Sequence, residues 1–578
     1  MRSPRLFTLI FLLAALHTTT LHAQYFGERV LEKSFEQTDL FFNSTPLTPF
    51  GVGGFRKVSA SFFEDSLSRL AVNPACFLID SLRNHYAYLD FRNVSEIRSQ
   101  ENYAYPMYDY RVATDFVSMP YYQFYLDTRK DLQPILAAAY LTRPFSSVFP
   151  RLLAGATYQI VFQDDTYYPI PQDVYRSVIG YDYAGTKASP ENLPIVDRYK
   201  GSDNIHHLAH LISFHAAYDF SDNILVGVKL GRKTFNRDGS NGSQNLWDEY
   251  YNPSYQSVWG NLESREQQYQ DWDLAAGLRY KFAERDELGL TVGRLWGTAD
   301  QRLMRTDTSL YGSGTVNVGT SWSYYMRSGA TNQAWNHEGG TTYGSIQLNR
   351  ALSQSVRLDL LYGYSNQKVD IGLASSISDS SYNSYRYKQS DTLVSRSEGF
   401  YTLLDTRSGG GNKSSTAHRF FASLHWRASE RASVSVGLQL DFQSSETNTD
   451  EGVVARHRSQ YSSSYGTGYN YSSFEKTTEN KHLLWTFTTD VTTVQVPVVL
   501  RWQATDWIEA LAGISRIMSS WEINDVTLAA FQLRSREGNW GAEKKENFGE
   551  RYTMPKERVS DIQTSGLFGL TVRPSGLF

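Results

Sequence analysis

The stretch Thr416–Gln443, TAHRFFASLHWRASERASVSVGLQLDFQ, decides how the chain is read. Phe420, Ala422, Leu424 and Trp426 are apolar, and Arg419, Ser423, His425 and Arg427 alternate with them. Phe421 is the one exception. After Ala428-Ser429-Glu430-Arg431 the pattern resumes, with Val434, Val436, Leu438, Leu440 and Phe442 against Ser433, Ser435, Gly437, Gln439 and Asp441. A period of two over this length predicts two half-exposed strands and a tight turn, since a helix would scatter Val434, Val436 and Leu438 over different faces.

The unit recurs in Ile212–Phe220 with Ile224–Leu230 and in Leu274–Phe282 with Leu288–Val292. Ile346–Leu348 with Val356–Tyr364, and Val494–Trp502 with Ile508–Ile514, are two more copies. Turn centres fall near 221, 285, 353, 430 and 505, at intervals of about 64, 68, 77 and 75 residues. Ile135–Leu141 with Leu152–Phe162 extends the rhythm backward, and His85–Phe91 reads as a first strand. Each interval holds two strands and one long polar segment. Short turns at one end and long loops at the other are the asymmetry of an outer-membrane barrel. Many strands run nine to thirteen residues, enough to cross a bilayer core at a tilt. A secreted sandwich or propeller is the alternative, but its strands would usually be about five or six residues long. The expected architecture is therefore all-β, a transmembrane antiparallel barrel of about fourteen to sixteen strands.

Composition agrees. The chain has 578 residues, 41% apolar, and a mean hydropathy of −0.44. No internal stretch is long and apolar enough for a membrane helix. Aromatic residues make up 14%, with 39 Tyr and 12 Trp, as lipid-interface girdles require. A net charge of −4 without a Lys/Arg-dense stripe speaks against nucleic acid. The single cysteine, Cys76, excludes an intramolecular disulfide framework and a cysteine-based metal cluster.

Residues 1–23 read as a secretory signal, with Arg2 and Arg5, the apolar run Leu6–Leu16 and Ala23 before the cleavage point. Residues 24–83 do not alternate. They are expected to form a hatch inside the barrel or a periplasmic lead-in, with a short amphipathic helix over Phe62–Leu70 carrying Phe63, Leu67 and Leu70 on one side. Residues 84–578 form the expected barrel. Loops are expected at Gln163–His206, Phe235–Gln268, Thr298–Thr341, Asp370–Ser415, Ser444–His482 and about 523–561, with some strands continuing into them as exposed hairpins. Thr564–Arg573 is a strand, and Pro574-Ser575-Gly576 opens a further short turn on rhythm. Either a closing strand is missing, or residues before 131 supply it.

Strand parity assigns faces. Phe220, Phe282, Trp426 and Trp502 are each the last outward residue before a short turn, so they are expected to form an aromatic girdle at the periplasmic boundary. The inward set includes His215, Lys229, Arg279, Arg357, Asp359, Arg419, His425, Asp441 and Arg501. Such charges pair in a narrow or plugged lumen or are hydrated in an open one, and sequence does not choose.

Catalytic chemistry is absent from the pattern. His207 and His210 would point to opposite faces, Asp238–Asn241 lacks the carboxylates of a calcium loop, and no Gly-x-Ser-x-Gly elbow occurs. Gly409–Lys413 lacks the spacing of a phosphate loop. No catalytic, metal or cofactor-binding residue is assigned.

Asn73-Pro74-Ala75, after the glycine-rich bend Thr48–Phe55 and Glu64-Asp65-Ser66, resembles the NPA segment of the FadL-like outer-membrane transporter superfamily and of related barrels in the Bacteroidetes. Cys76 and Phe77 stand where that family usually has small residues. The resemblance covers Gly51–Ala75 by motif and the rest by architecture. It implies a barrel of about fourteen strands plugged by its N-terminal segment, engaged in passage of hydrophobic compounds or in secretion. It also implies outer-membrane lipid and the barrel assembly machinery as partners, and a hydrophobic small molecule as ligand. The alternative function is a structural, adhesive or secretion-associated surface barrel working through its Tyr-rich loops.

Overall fold

A computed structural model describes residue 62 and residues 66–76, 85–91, 111–112, 115–116, 135–144, 148–166 and 196–199. It also describes residues 204–572, with breaks at 250–253, 316–319, 390–391, 467, 506–507 and 554–556. The signal sequence, the glycine-rich bend, Phe63, Glu64-Asp65 and the turn at Pro574 lie outside the described residues.

Among the described residues one short helix, α1 (Ser66–Val72), precedes the strands. These are β1 (His85–Phe91), β2 (Arg111–Val112), β3 (Asp115–Phe116), β4 (Leu136–Thr142), β5 (Leu152–Thr166), β6 (Val196–Tyr199), β7 (Asn204–Ser221), β8 (Ile224–Glu249) and β9 (Ser254–Lys281). There follow β10 (Glu287–Thr315), β11 (Thr320–Ala351), β12 (Val356–Gln389), β13 (Thr392–Arg427) and β14 (Ala432–Tyr465). The last are β15 (Tyr469–Gln503), β16 (Ile508–Gly538), β17 (Gly541–Thr553) and β18 (Glu557–Val572).

All but β2 and β3 join one 16-stranded antiparallel sheet. β6 and β7 lie end to end along β8, and β17 and β18 lie end to end along β16. The sheet therefore has 16 − 2 = 14 ranks. With fourteen ranks alternating in direction, its two edges, β1 and β18, run opposite ways.

The turns at 222–223, 282–286, 352–355 and 428–431 are short, as the alternation predicts. Above them, with Arg294 on β10 and Arg350 on β11 as interruptions, the outward residues are mostly apolar for about nine positions. On β14 these are Val434, Val436, Leu438, Leu440 and Phe442, and Ser444 and Glu446 follow. Nine residues at ~3.3 Å each, tilted by ~40°, give a band ~23 Å tall, close to the apolar height of outer-membrane barrels. Leu438→Arg, in the middle of this band, is expected to cost about 2–4 kcal/mol in vesicles, and Glu446→Arg above it about 0–1 kcal/mol. Urea titration of the two variants in phospholipid vesicles checks this, and equal costs would remove the band.

The long loops are where expectation and structure part. Phe235–Gln268, Thr298–Thr341, Asp370–Ser415 and Ser444–His482 are mostly strand, with β11–β15 reaching 32 to 36 residues. The physical reason is an inversion of parity. On β12 the apolar positions are even up to Tyr364, apart from the inward Leu361, then odd at Val369, Ile371 and Leu373. On β15 they are odd at Leu483, Trp485 and Phe487, then mainly even from Val494 to Trp502, with Val499 facing inward. The stretch next to the short turns wears its apolar residues outside. The stretch beyond it turns them inward, where they bury one apolar layer drawn from ten strands, Val161 on β5 to Phe531 on β16. Trp335, 1% exposed, is its largest member.

Candidate functional site

The site is built on the inner face of β8, β9 and β10, close to the short turns. Gly227 and Gly277 stand directly opposite each other, and Gly289 lies beside them on β10, opposite Arg279. Their lack of side chains is used by the N-terminal segment. A Cβ at Gly227 would strike the Pro74 carbonyl, and one at Gly277 would strike Asn73 Oδ1 and Pro74 Cδ. At Gly289 it would sit 3.0 Å from Asn73 Nδ2.

Asn73, Pro74 and Ala75 fill this socket, with Asn73 at 1% and Ala75 at 0% exposure. The Asn73 backbone N–H donates to the Arg69 carbonyl at 2.9 Å, the last turn of α1. Pro74 cannot continue the helix, because it has no N–H and disfavours a helical residue before it. Asn73 Oδ1 then accepts the Ala75 N–H at 2.8 Å, the local bond that makes Asn a turn former. Its Nδ2 donates to the carbonyls of Leu278 at 3.1 Å and Leu290 at 3.3 Å, and Thr291 Oγ1 donates to the Val72 carbonyl at 3.2 Å. One side chain thus closes the turn and ties it to two strands.

An ion-pair anchor lies alongside. Glu287 accepts from Arg279 Nε at 2.7 Å and from Asn349 Nδ2 at 2.8 Å, and meets Arg69 Nη1 at 3.2 Å. A buried carboxylate shared by two guanidinium groups holds the segment firmly, because removing it would strand both cations. Cys76 is buried next to this anchor. Loss of solvent pushes its thiol up to about 11, against the partial relief given by Arg279.

The segment also spans the interior. Leu70 and Ala75 pack with Ala137, Ala139, Leu141, Leu153, Ala217 and Leu225 on β4, β5, β7 and β8. Phe62 packs with Leu361, Phe421, Val499 and Leu511 on β12, β13, β15 and β16. The break in alternation at Phe421 has its cause here: the ring faces inward, edge-on to Phe62 at 6.0 Å. Phe62 also lies 6.1 Å from His425, which meets Asp359 at 3.1 Å. Contacts on both halves of the sheet require the sheet to curl around this segment.

Above it lies a polar layer. Lys229 pairs with Asp273 at 2.6 Å, Tyr343 donates to Asp273 at 2.7 Å, and Lys233 pairs with Asp271 at 3.0 Å. Arg419 pairs with Asp441 at 2.7 Å and Gln495 donates to Ser515 at 2.9 Å. The inward charges read from sequence are therefore met by neighbours on the wall. Higher still comes the apolar layer. The interior runs from apolar segment to polar belt to apolar layer.

Phe220, Phe282, Trp426 and Trp502 do not converge. All four are exposed on the outer face, each within a few residues of a different short turn. Along the other edge of the apolar band Tyr158 bonds His210 at 2.9 Å, Tyr362 bonds His418 at 3.0 Å, and Arg232 lies 5.1 Å over the Trp272 ring. His207 and His210 point to opposite faces, and among the described residues no group of three His, Cys, Asp or Glu is placed to hold a metal.

Alternation alone misses Gly227, Gly277, Gly289 and Glu287. Two inward glycines at the same height on neighbouring strands, and the exception at Phe421, are the signals that could have found the socket. Of the expected helix Phe62–Leu70, the part from Ser66 lies in α1, Ser66–Val72, residues 63–65 lie outside the described residues, and the buried ring is Phe62.

No protein-family model and no curated protein matches the chain. Among solved structures the chain is remotely similar to several outer-membrane β-barrel transport proteins. With a Pseudomonas aeruginosa FadL homologue it shares 10% identity and a TM-score of 0.29, over 92% of this chain and 98% of that one. With the CymD monoaromatic hydrocarbon channel it shares 10% identity and a TM-score of 0.20, over 66% of this chain and 86% of that one. With the ferric-catecholate import receptor Fiu from E. coli K12 it shares 7% identity and a TM-score of 0.16, over 66% and 83%. Likenesses of this extent bear on neither fold nor function, which rest on the chain's own geometry.

Proposed function

We propose that the chain is an outer-membrane channel for hydrophobic solutes, closed into a barrel by β1 against β18 and hatched by the segment around Asn73–Ala75. The observation that carries this reading is the socket of Gly227, Gly277 and Gly289, in which an N-terminal turn is held on the inner face by one asparagine and one ion-pair anchor. Fourteen ranks is an even number, so β1 and β18 run in opposite senses and suit an antiparallel seam. The girdle residues Phe220, Phe282, Trp426 and Trp502 would then mark the periplasmic boundary. The apolar layer above the bilayer gives an apolar solute a place to leave water, and it disfavours a sugar.

The test compares a labelled long-chain fatty acid with a small sugar in liposomes carrying the mature chain. Fatty-acid passage that depends on Asn73–Ala75, with sugar excluded, is the expected result. A folded, inserted chain that passes neither overturns the reading. The second reading, a surface barrel acting through its outer ends, is favoured by the length of the strands beyond the apolar band. β14 continues about 50 Å beyond the apolar band, and Tyr461, Tyr465, Tyr469 and Tyr471 are exposed there. A barrel sealed to both solutes that loses a surface partner when 455–476 are shortened would support it.

A further inference from the structure

At the upper edge of the apolar band, the outer face of β8–β12 carries a row unlike the rest of the rim. Cross-strand register aligns Arg232, Trp272, Trp296, Gly340 and Lys368 on five consecutive strands. Arg294 lies two residues before Trp296 on the same face. Arg232, Arg294 and Lys368 are exposed, and both indoles are 38% exposed. Arg294 and Lys368 make no ion pair among the described residues. Gly340 leaves the rank between Trp296 and Lys368 without a side chain, so the two cations flank an open step.

The surroundings restrict what could sit there. Below the row the face is apolar, with Leu274, Leu290, Val292, Ile346 and Leu360. In the row above, Glu338 and Asp370 stand directly opposite each other, both exposed. An anion is therefore favoured at the cation row and repelled above it. The same rank continues on β13–β16 as Ser414, Glu446, Thr488 and Asn524, without a cation. The cationic sector is one-sided.

We propose that this sector binds a phosphorylated membrane lipid, one phosphate between Arg294 and Lys368, with Arg232 farther along the row as a second cation over Trp272, and its acyl chains along the apolar face beneath. Indoles at a membrane boundary pack an apolar body under a polar headgroup, and Arg adds directed N–H donors to phosphate oxygens. The proposal rests on the reading of the outer band as the lipid-facing surface.

The test reconstitutes the full chain in phosphatidylcholine vesicles containing a minor fraction of a diphosphorylated lipid A, or of the same lipid after dephosphorylation. Lipid retained on the extracted protein is counted by native mass spectrometry. Enrichment of the phosphorylated form is expected, at about fivefold per participating cation. Arg294→Glu with Lys368→Glu is expected to abolish it, and Arg516→Glu, outward on β16, to leave it intact. Inorganic phosphate in solution is expected not to displace the lipid. Enrichment unchanged by the double charge reversal, or equal for the dephosphorylated lipid, overturns the site while the membrane reading stands. Failure of the wild-type chain to insert into any vesicle overturns the membrane reading itself.

Discussion

Gly277→Leu is expected to expel Asn73–Ala75 from its socket and turn Cys76 from a protected thiol into a reactive one. The new side chain would occupy the volume of Asn73 Oδ1 and Pro74 Cδ. The strand backbone is fixed by ladders on both sides, so the N-terminal segment yields. Its departure breaks the bonds from Asn73 to Leu278 and Leu290, each worth about 1 kcal/mol, on top of an overpacking cost of about 1–3 kcal/mol. In the seated state burial holds the Cys76 thiol up at about 11. On release the thiol returns toward the range of a free cysteine, so at neutral pH its reactive thiolate fraction rises steeply. Maleimide labelling of the inserted chain reads this directly, with Gly452→Ala as the control, where the nearest foreign atom to a Cβ is 3.6 Å away. Continued protection of Cys76 in a folded Gly277→Leu barrel would show that the glycines are not what seats the turn.

The second large effect is expected at Trp335. This side chain sits in the middle of the upper apolar layer at 1% exposure, surrounded by residues from other strands. Truncation to alanine is expected to cost about 3–5 kcal/mol, because the ring's contacts vanish and the neighbouring β-strands cannot collapse into the space. For passage the consequence is more specific. On the proposed channel reading two barriers lie in series, the N-terminal segment below and the apolar layer above. Deleting residues 24–83 alone is expected to leave a sugar excluded, and so is Trp335→Ala alone. Together they are expected to admit it. Conductance across planar bilayers and sugar efflux from vesicles report the same event. Full sugar passage on deletion alone would mean that the upper layer is not a seal.

Much of this organisation was legible because a strand whose two faces meet unlike surroundings must alternate. Val434 to Phe442 alternate with Ser435 to Asp441 over a length that suits an apolar surrounding on one face and a polar interior on the other. The short turns, the two faces and the approximate rank count follow from that alternation. The extent of the strands was not legible by the same rule. Ser444–His482 looks like a polar loop when the apolar face is assumed constant, whereas Val453, Ala455, Leu483 and Trp485 keep the period and exchange the face. The change of sign, more than any loss of periodicity, marks where the outer apolar band ends.

The sequence by itself determined the pitch of the strands, the outward and inward sets, and the candidate turn at Asn73-Pro74-Ala75, because each depends on residues within a few positions of one another. Tertiary structure alone decided where that turn rests and what satisfies the inward charges. Gly227, Gly277 and Gly289 lie on three strands, Glu287 draws Arg69 from 218 residues away, and Phe62 finds Phe421 across the sheet. None of these partners is local, and a glycine or a lone inward phenylalanine acquires its meaning only when curling of the sheet brings the N-terminal segment against it.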